Sequence, residues 1–162
     1  MKSILSKLMV ASLLTYCAQG IALADSPVVN ILIDASMPEK IVEVAKGFGS
    51  AELSKDQDGD PYISGRIEGK KYQISFFGCT GGSKCHDIRF LTGWSKTKVG
   101  MEQTNEWNRT KRFGTAFMDQ DGDPILTMTV NLEHGVNRDN LDETFVYWGL
   151  AVKGFENEVA RR

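Results

Sequence analysis

The chain has 162 residues, enough for one domain with a continuous core and too few for two comfortable ones. Its 19 basic and 21 acidic residues give a formal net charge of −2; discounting Lys2 and Lys7, which fall in the leader described next, leaves 17 basic against 21 acidic and a net charge of −4. No run of Lys or Arg longer than two residues follows that leader, so generic phosphate-backbone binding is excluded, and nucleic acid and anionic membrane surfaces drop from the partners to consider.

The N-terminus follows the three-part secretory pattern, with Lys2 and Lys7 as the positive end, an apolar run from Leu8 to Leu14, and Ala22-Leu23-Ala24 as a small-residue cleavage box. The expectation is an exported bacterial protein, periplasmic or secreted, cut after Ala24 so that Asp25 begins the mature chain. The apolar run is far short of the ~20 residues a membrane-crossing helix needs, so stable membrane insertion is not expected. Lipidation at Cys17 is the rival route, but Tyr16 stands where a small residue should precede the cysteine. The chain therefore divides into a signal peptide at 1–24, an N-terminal extended segment at 25–36 and a single domain at 37–160. With Cys17 removed, Cys79 and Cys85 remain in a compartment that oxidises thiols, and they are expected to form one disulfide across Thr80-Gly81-Gly82-Ser83-Lys84. Closing so short a loop contributes about 2 kcal/mol in the chain-entropy model, which shapes a loop tip more than it holds a fold.

In chain order, Pro27 to Ile33 is extended by composition, with no pairing partner assignable. Ser36-Met37-Pro38-Glu39 reads as a capping box opening a helix, whose stripe Met37, Ile41, Ala45 and Phe48 stops at Gly47 and Gly49. From Ala51 to Trp94 the period changes to two. Ile63 and Ile67 alternate with polar neighbours, as do Tyr72, Ile74 and Phe76, and Asp58-Gly59 and Gly69-Lys70 fall at hairpin spacing. An antiparallel meander is expected, with His86 to Trp94 as its fourth strand. Met101 to Arg112 suits a short helix anchored by Met101 and Trp107. Alternation returns in Phe113 to Met118 and Ile125 to Leu132, and Leu141, Phe145, Trp148, Val152, Phe155 and Val159 form a long helical stripe that should pack across the sheet. The fold class is α+β, an antiparallel sheet packed by helices.

The hexapeptide Asp-Gln-Asp-Gly-Asp-Pro occurs twice, at Asp56 to Pro61 and Asp119 to Pro124. Three aspartates in five residues invite a calcium reading, but Gly comes fourth where an EF-hand loop needs it sixth, and Ile67 and Val130 stand where the bidentate acid belongs. A solvated hairpin turn accounts for the composition. Cys79, Cys85, His86 and His134 lack the close paired spacing of zinc ligands, and five residues between the cysteines is wrong for haem attachment. His86 and His134 are the only imidazole bases, no Gly-x-Ser-x-Gly elbow accompanies them, and no phosphate-cradling loop opens a helix. No catalytic, metal-binding or cofactor-binding residue is assigned. Asn105-Glu106-Trp107-Asn108-Arg109 mixes an aromatic with planar polar groups, and Trp107, Asn108 and Arg109 are a candidate interaction face. The structural alternative has Trp107 anchoring its helix while Asn108 and Arg109 tie down neighbouring backbone.

Gly49 with Ala51-Glu52-Leu53, Asp58-Gly59-Asp60-Pro61, Phe76-Phe77-Gly78-Cys79, Asn105-Glu106-Trp107-Asn108-Arg109 with Arg112-Phe113-Gly114, and Asp121-Gly122-Asp123-Pro124 with Val130-Asn131-Leu132 together resemble the YbjN-like domain family, over about Met37 to Glu158. The resemblance implies a fold similar to type III secretion chaperones, in the order helix, strands, helix, two strands, long C-terminal helix. It also implies protein binding without catalysis, and it brings no catalytic or metal residue. The family is described as sensory-transduction regulators, a label that names no ligand. The leader and the bridged loop set this chain apart from cytosolic members. The expectation is a non-enzymatic exported interaction or chaperone-like domain without a cofactor, using an open sheet edge or a groove beside the helices to hold another protein, with a homodimer as one assembly to consider. The alternatives are a periplasmic small-ligand or cation-binding protein, and a hydrolase with an unseen site.

Overall fold

A computed structural model describes residues 31–161. The leader, its cleavage site and Cys17 lie outside the described residues, as do 25–30 of the N-terminal extended segment. Three helices, α1 (Pro38–Lys46), α2 (Met101–Thr110) and α3 (Arg138–Phe155), accompany six strands: β1 (Ala51–Lys55), β2 (Pro61–Ile67), β3 (Lys70–Phe77), β4 (Asp87–Gly93), β5 (Thr115–Met118) and β6 (Pro124–Asn131). The helix α3 runs on into a π-helical segment, Glu156–Ala160. The fold is α+β, and all six strands form one antiparallel sheet in the order β1-β2-β3-β4-β6-β5. The first four strands are the expected meander. The α2 crossover then carries the chain to the far edge, and β6 returns between β4 and β5.

Register decides which side chains share a face. Ile63, Ile74, Phe90 and Met128 lie in one cross-strand row, and Phe76, Ile88 and Val130 lie in another. These rows meet α1 and α3. The α3 side chains Phe145, Trp148 and Phe155 are wholly buried, each contributing about 2–3 kcal/mol of burial. Phe90 sits at their centre, with ring centroids 5.0 Å from Phe145 and 5.4 Å from Trp148. Trp94 and Trp107 close on Phe155 at 4.9 and 5.1 Å. Gly65 lets the sheet close over this core, since a Cβ there would fall 2.6 Å from the Ser50 carbonyl oxygen and 2.8 Å from the Tyr72 ring. On the opposite face, Ser64, Arg66, Lys71 and Arg89 are exposed.

Two local expectations are corrected. The capping box does not form: Met37 occupies the cap position without a side-chain bond. The Ser36 hydroxyl and amide instead both donate to Asp34 Oδ1, at 2.6 and 2.8 Å, because a tight turn brings that carboxylate closer than the helix end. Met101 is 74% exposed and is no anchor; in α2 the buried pair is Thr104 and Trp107. The described part of the N-terminal segment joins the fold through a bridge, where Ile33 and Val136 exchange backbone bonds of 2.7 and 2.9 Å, and through Ile33 and Ala35, which are buried in the core.

Candidate functional site

The Cys79–Cys85 disulfide is formed, closing the β3–β4 loop, with Cys85 buried and Cys79 half-buried. The loop tip rests on the β1–β2 turn: a Cβ on Gly82 would stand 2.7 Å from the Gly59 carbonyl oxygen. His86 Nδ1 lies 3.9 Å from Glu133, and His134 occupies a separate turn with φ 69°. Among the described residues no three His, Cys, Asp or Glu side chains converge as a metal site.

The two Asp-rich hexapeptides adopt one geometry. Asp56 Oδ1 accepts from the amides of Asp58 and Asp60 at 3.0 and 2.9 Å, and Asp119 Oδ1 accepts from Asp121 and Asp123 at 3.0 and 2.8 Å. Each first aspartate mimics a backbone turn, and Gly59 and Gly122 supply the positive φ of 85° and 78° that lets the chain reverse.

Trp107, Asn108 and Arg109 point to three different environments. Trp107 is buried, and its indole N–H donates to the Gly114 carbonyl at 2.9 Å. Asn108 reaches β5, where its Oδ1 accepts from the Ala116 amide at 2.7 Å and its Nδ2 donates to the Ala116 carbonyl at 2.9 Å. Arg109 is exposed and forms a two-pronged pair with Glu106, its Nη2 2.7 Å from Oε1 and its Nε 3.0 Å from Oε2. Asn108 therefore stands in for a neighbouring strand at Ala116. The β5 edge is closed there by the protein itself, a common defence against strand pairing.

The β1 edge is different. In an antiparallel pair alternate residues turn their backbone groups toward the partner. The Arg66 amide donates to the Ser50 carbonyl at 2.8 Å and the Asp56 amide to the Asp60 carbonyl at 2.9 Å, so in the observed register Glu52 and Ser54 also bond to β2. Ala51, Leu53 and Lys55 turn theirs outward, and among the described residues no other backbone group pairs with them. Beside this edge lies a groove of about 380 Å³, lined by Ala35 and Pro38 before and within α1, Leu53 and Lys55 of β1, and Gly82 and Ser83 of the bridged loop.

The face of the sheet that no described helix covers carries a shallow depression of about 610 Å³ running from β1 to β4. Across it the Tyr62 hydroxyl donates to Gln73 Oε1 at 2.7 Å. Arg66 and Lys71 stand directly opposite one another on β2 and β3. Behind that face, burial pushes the Tyr72 phenol up from 10.0 to about 12, and among the described residues its hydroxyl has no hydrogen-bond partner. Burial also lowers the Lys70 ammonium, an effect Glu156 opposes and Arg161 reinforces; that ammonium lies 4.5 Å over the Trp94 ring. Neither group adjoins a nucleophile held by a base. Sequence periodicity located the strands but not these surfaces, because which edge is closed depends on a side chain eight residues away in the chain. No described helix is long and apolar enough to cross a membrane.

A comparison with curated proteins finds no match. A family model described as "YbjN: Putative bacterial sensory transduction regulator" matches residues 38–161, from the first residue of α1 to the residue just after the π-helical segment. On that match, which covers the whole sheet and all three helices, the chain belongs to the YbjN family.

Proposed function

We propose that this protein is a non-catalytic interaction domain that takes up an extended polypeptide segment along β1, and that it does so outside the cytoplasm in a regulatory or chaperone-like role. The observation that carries the reading is the contrast between the two sheet edges. Ala116 at one edge is covered by Asn108, whereas Ala51, Leu53 and Lys55 at the other present outward donors and acceptors beside a groove. A strand added there gains main-chain hydrogen bonds from the edge and side-chain contacts from the groove. The family's regulator description supports a binding role. The leader pattern and the Cys79–Cys85 bridge support the exported setting.

The test is a photoreactive residue at Ser54, on β1, with crosslinked products compared between the parent protein and Ala51→Pro. Proline there removes an outward donor and leaves the β1–β2 bonds in place. Polypeptide crosslinks that vanish in Ala51→Pro, with the melting temperature held, support the reading. Crosslinks indifferent to the substitution, or none at all, overturn it.

A further inference from the structure

We infer that the Cys79–Cys85 bridge controls the β1 groove: closed, it holds the tip of the β3–β4 loop in the groove's lining, and opened by a dithiol reductant it releases the tip and weakens the hold on the incoming segment. This rests on the edge-pairing reading above and adds its regulation. Three parts of the chain line the groove: the start of α1 with Ala35 and Pro38, β1 with Leu53 and Lys55, and the loop tip with Gly82 and Ser83. The first two are anchored in the fold, since Ala35 is buried and Leu53 packs against the core. The tip is not. Its own backbone bonds join only Thr80 and Ser83, at 2.7 and 3.3 Å, and among the described residues no hydrogen bond ties 80–84 to the rest of the protein. It meets the β1–β2 turn by packing alone, where Gly82 lies against the Gly59 carbonyl.

The conformation of the loop needs the bridge. Lys84 has φ 50°, a left-handed backbone that an L side chain disfavours, so a chain freed at Cys85 relaxes away from it. The sheet does not need the bridge. The hairpin base is closed by the His86 amide, which donates to the Phe77 carbonyl at 2.9 Å, and β3 and β4 stay paired from Phe77 and Asp87 inward. Opening the bridge therefore frees the groove's lining and leaves the strands in place. Cys79 is half-buried and Cys85 buried, so the reductant's thiolate attacks the Cys79 sulfur. The S–S bond breaks, its electron pair leaves on the Cys85 sulfur, and that sulfur takes up a proton. The reductant's second thiol then displaces Cys79 from the mixed disulfide. Two cysteine thiols form as the dithiol is oxidised to its own disulfide.

The experiment selects binders to the oxidised full protein from a displayed library of random peptides and discards those that also bind Ala51→Pro. The remaining peptides are measured against the oxidised protein, the protein reduced with dithiothreitol, and Cys79→Ser/Cys85→Ser, each with a melting curve that shows it is folded. Binding is expected to weaken about tenfold on reduction, because a loop that must be ordered by the peptide subtracts from the affinity. It returns on reoxidation, and the serine variant binds as the reduced protein does, with or without reductant. Amide hydrogen exchange gives a readout that needs no peptide: reduction speeds exchange at Thr80 and Ser83 and leaves the His86 amide protected. Peptides that need an intact Ala51 yet bind oxidised and reduced protein equally overturn this inference and leave edge pairing standing. So does a bridge that dithiothreitol leaves closed in the folded protein, or exchange that rises throughout the sheet. Peptides recovered equally with Ala51→Pro, or no binders at all, overturn both.

Discussion

Replacing Asn108 with Ala removes both bonds that hold the outer edge of β5. The Ala116 amide and carbonyl, at 2.7 and 2.9 Å from the carboxamide, are left without a protein partner at a partly buried contact. Two neutral bonds contribute about 1 kcal/mol each, and groups stranded in a partly dry place add to the cost, so the expected loss is about 2–3 kcal/mol. Against the 5–15 kcal/mol typical of a domain, roughly, that is a large fraction. Urea unfolding followed by tryptophan fluorescence reads it well, because Trp94, Trp107 and Trp148 are all buried. The midpoint should fall by about 1 M or more with an unchanged slope. Asn108→Asp should not rescue, since it keeps an acceptor for the amide but sets a carboxylate oxygen against the Ala116 carbonyl. A loss below about 0.5 kcal/mol, within the range of ordinary surface substitutions, would refute the edge-closing role.

Three further outcomes follow from the same geometry. Tyr72→Phe removes a buried hydroxyl that has no partner among the described residues, so stability at neutral pH should hold or rise by up to about 1 kcal/mol in urea unfolding. Because the folded phenol titrates near 12 and its ordinary value is 10.0, its protonated form is favoured in the fold; the parent's stability from this source is complete below pH 10 and is lost as pH rises toward 12, and an alkaline denaturation curve of Tyr72→Phe should be flatter there. Replacing both Cys79 and Cys85 with Ser should cost about 2 kcal/mol, measured by comparing urea curves of the variant with the oxidised and reduced parent. Asp119→Ala and Asp56→Ala should each cost about 1–2 kcal/mol, and in the double variant the losses should add, because the two turns lie at opposite edges of the sheet.

The elements were legible where local chemistry decides them. Asp58-Gly59 and Gly69-Lys70 mark hairpins because the chain must reverse with positive φ at Gly59 and Gly69. The stripe from Leu141 to Val159 marks α3 and the π-helical segment that continues it, because burial along one side fixes them against the sheet. The pairing of Cys79 with Cys85 followed from an even count and a short flexible loop. What stayed illegible was set by groups distant in sequence. The placement of β6 between β4 and β5 depends on how α2 crosses over. The Ser36 hydroxyl could cap the helix by accepting from a backbone amide of its first turn or could donate to the Asp34 carboxylate, and backbone geometry chose the second. Asn108 could be recognised as a polar residue on a helix, but that it completes β5 depends on register at Ala116. The same holds for Arg66 and Lys71, whose juxtaposition follows from the turn at Glu68-Gly69.

Amide hydrogen exchange in the free protein compares the two edges at single residues. The amides of Leu53 and Ala116 both point away from their sheet partners, and Asn108 covers only the second, at 2.7 Å. Open β1 and closed β5 predict that Leu53 exchanges nearly as fast as an unstructured residue and Ala116 at least about a hundredfold more slowly. Equal, strong protection at Leu53 would mean that β1 is already covered, and it would contradict the account.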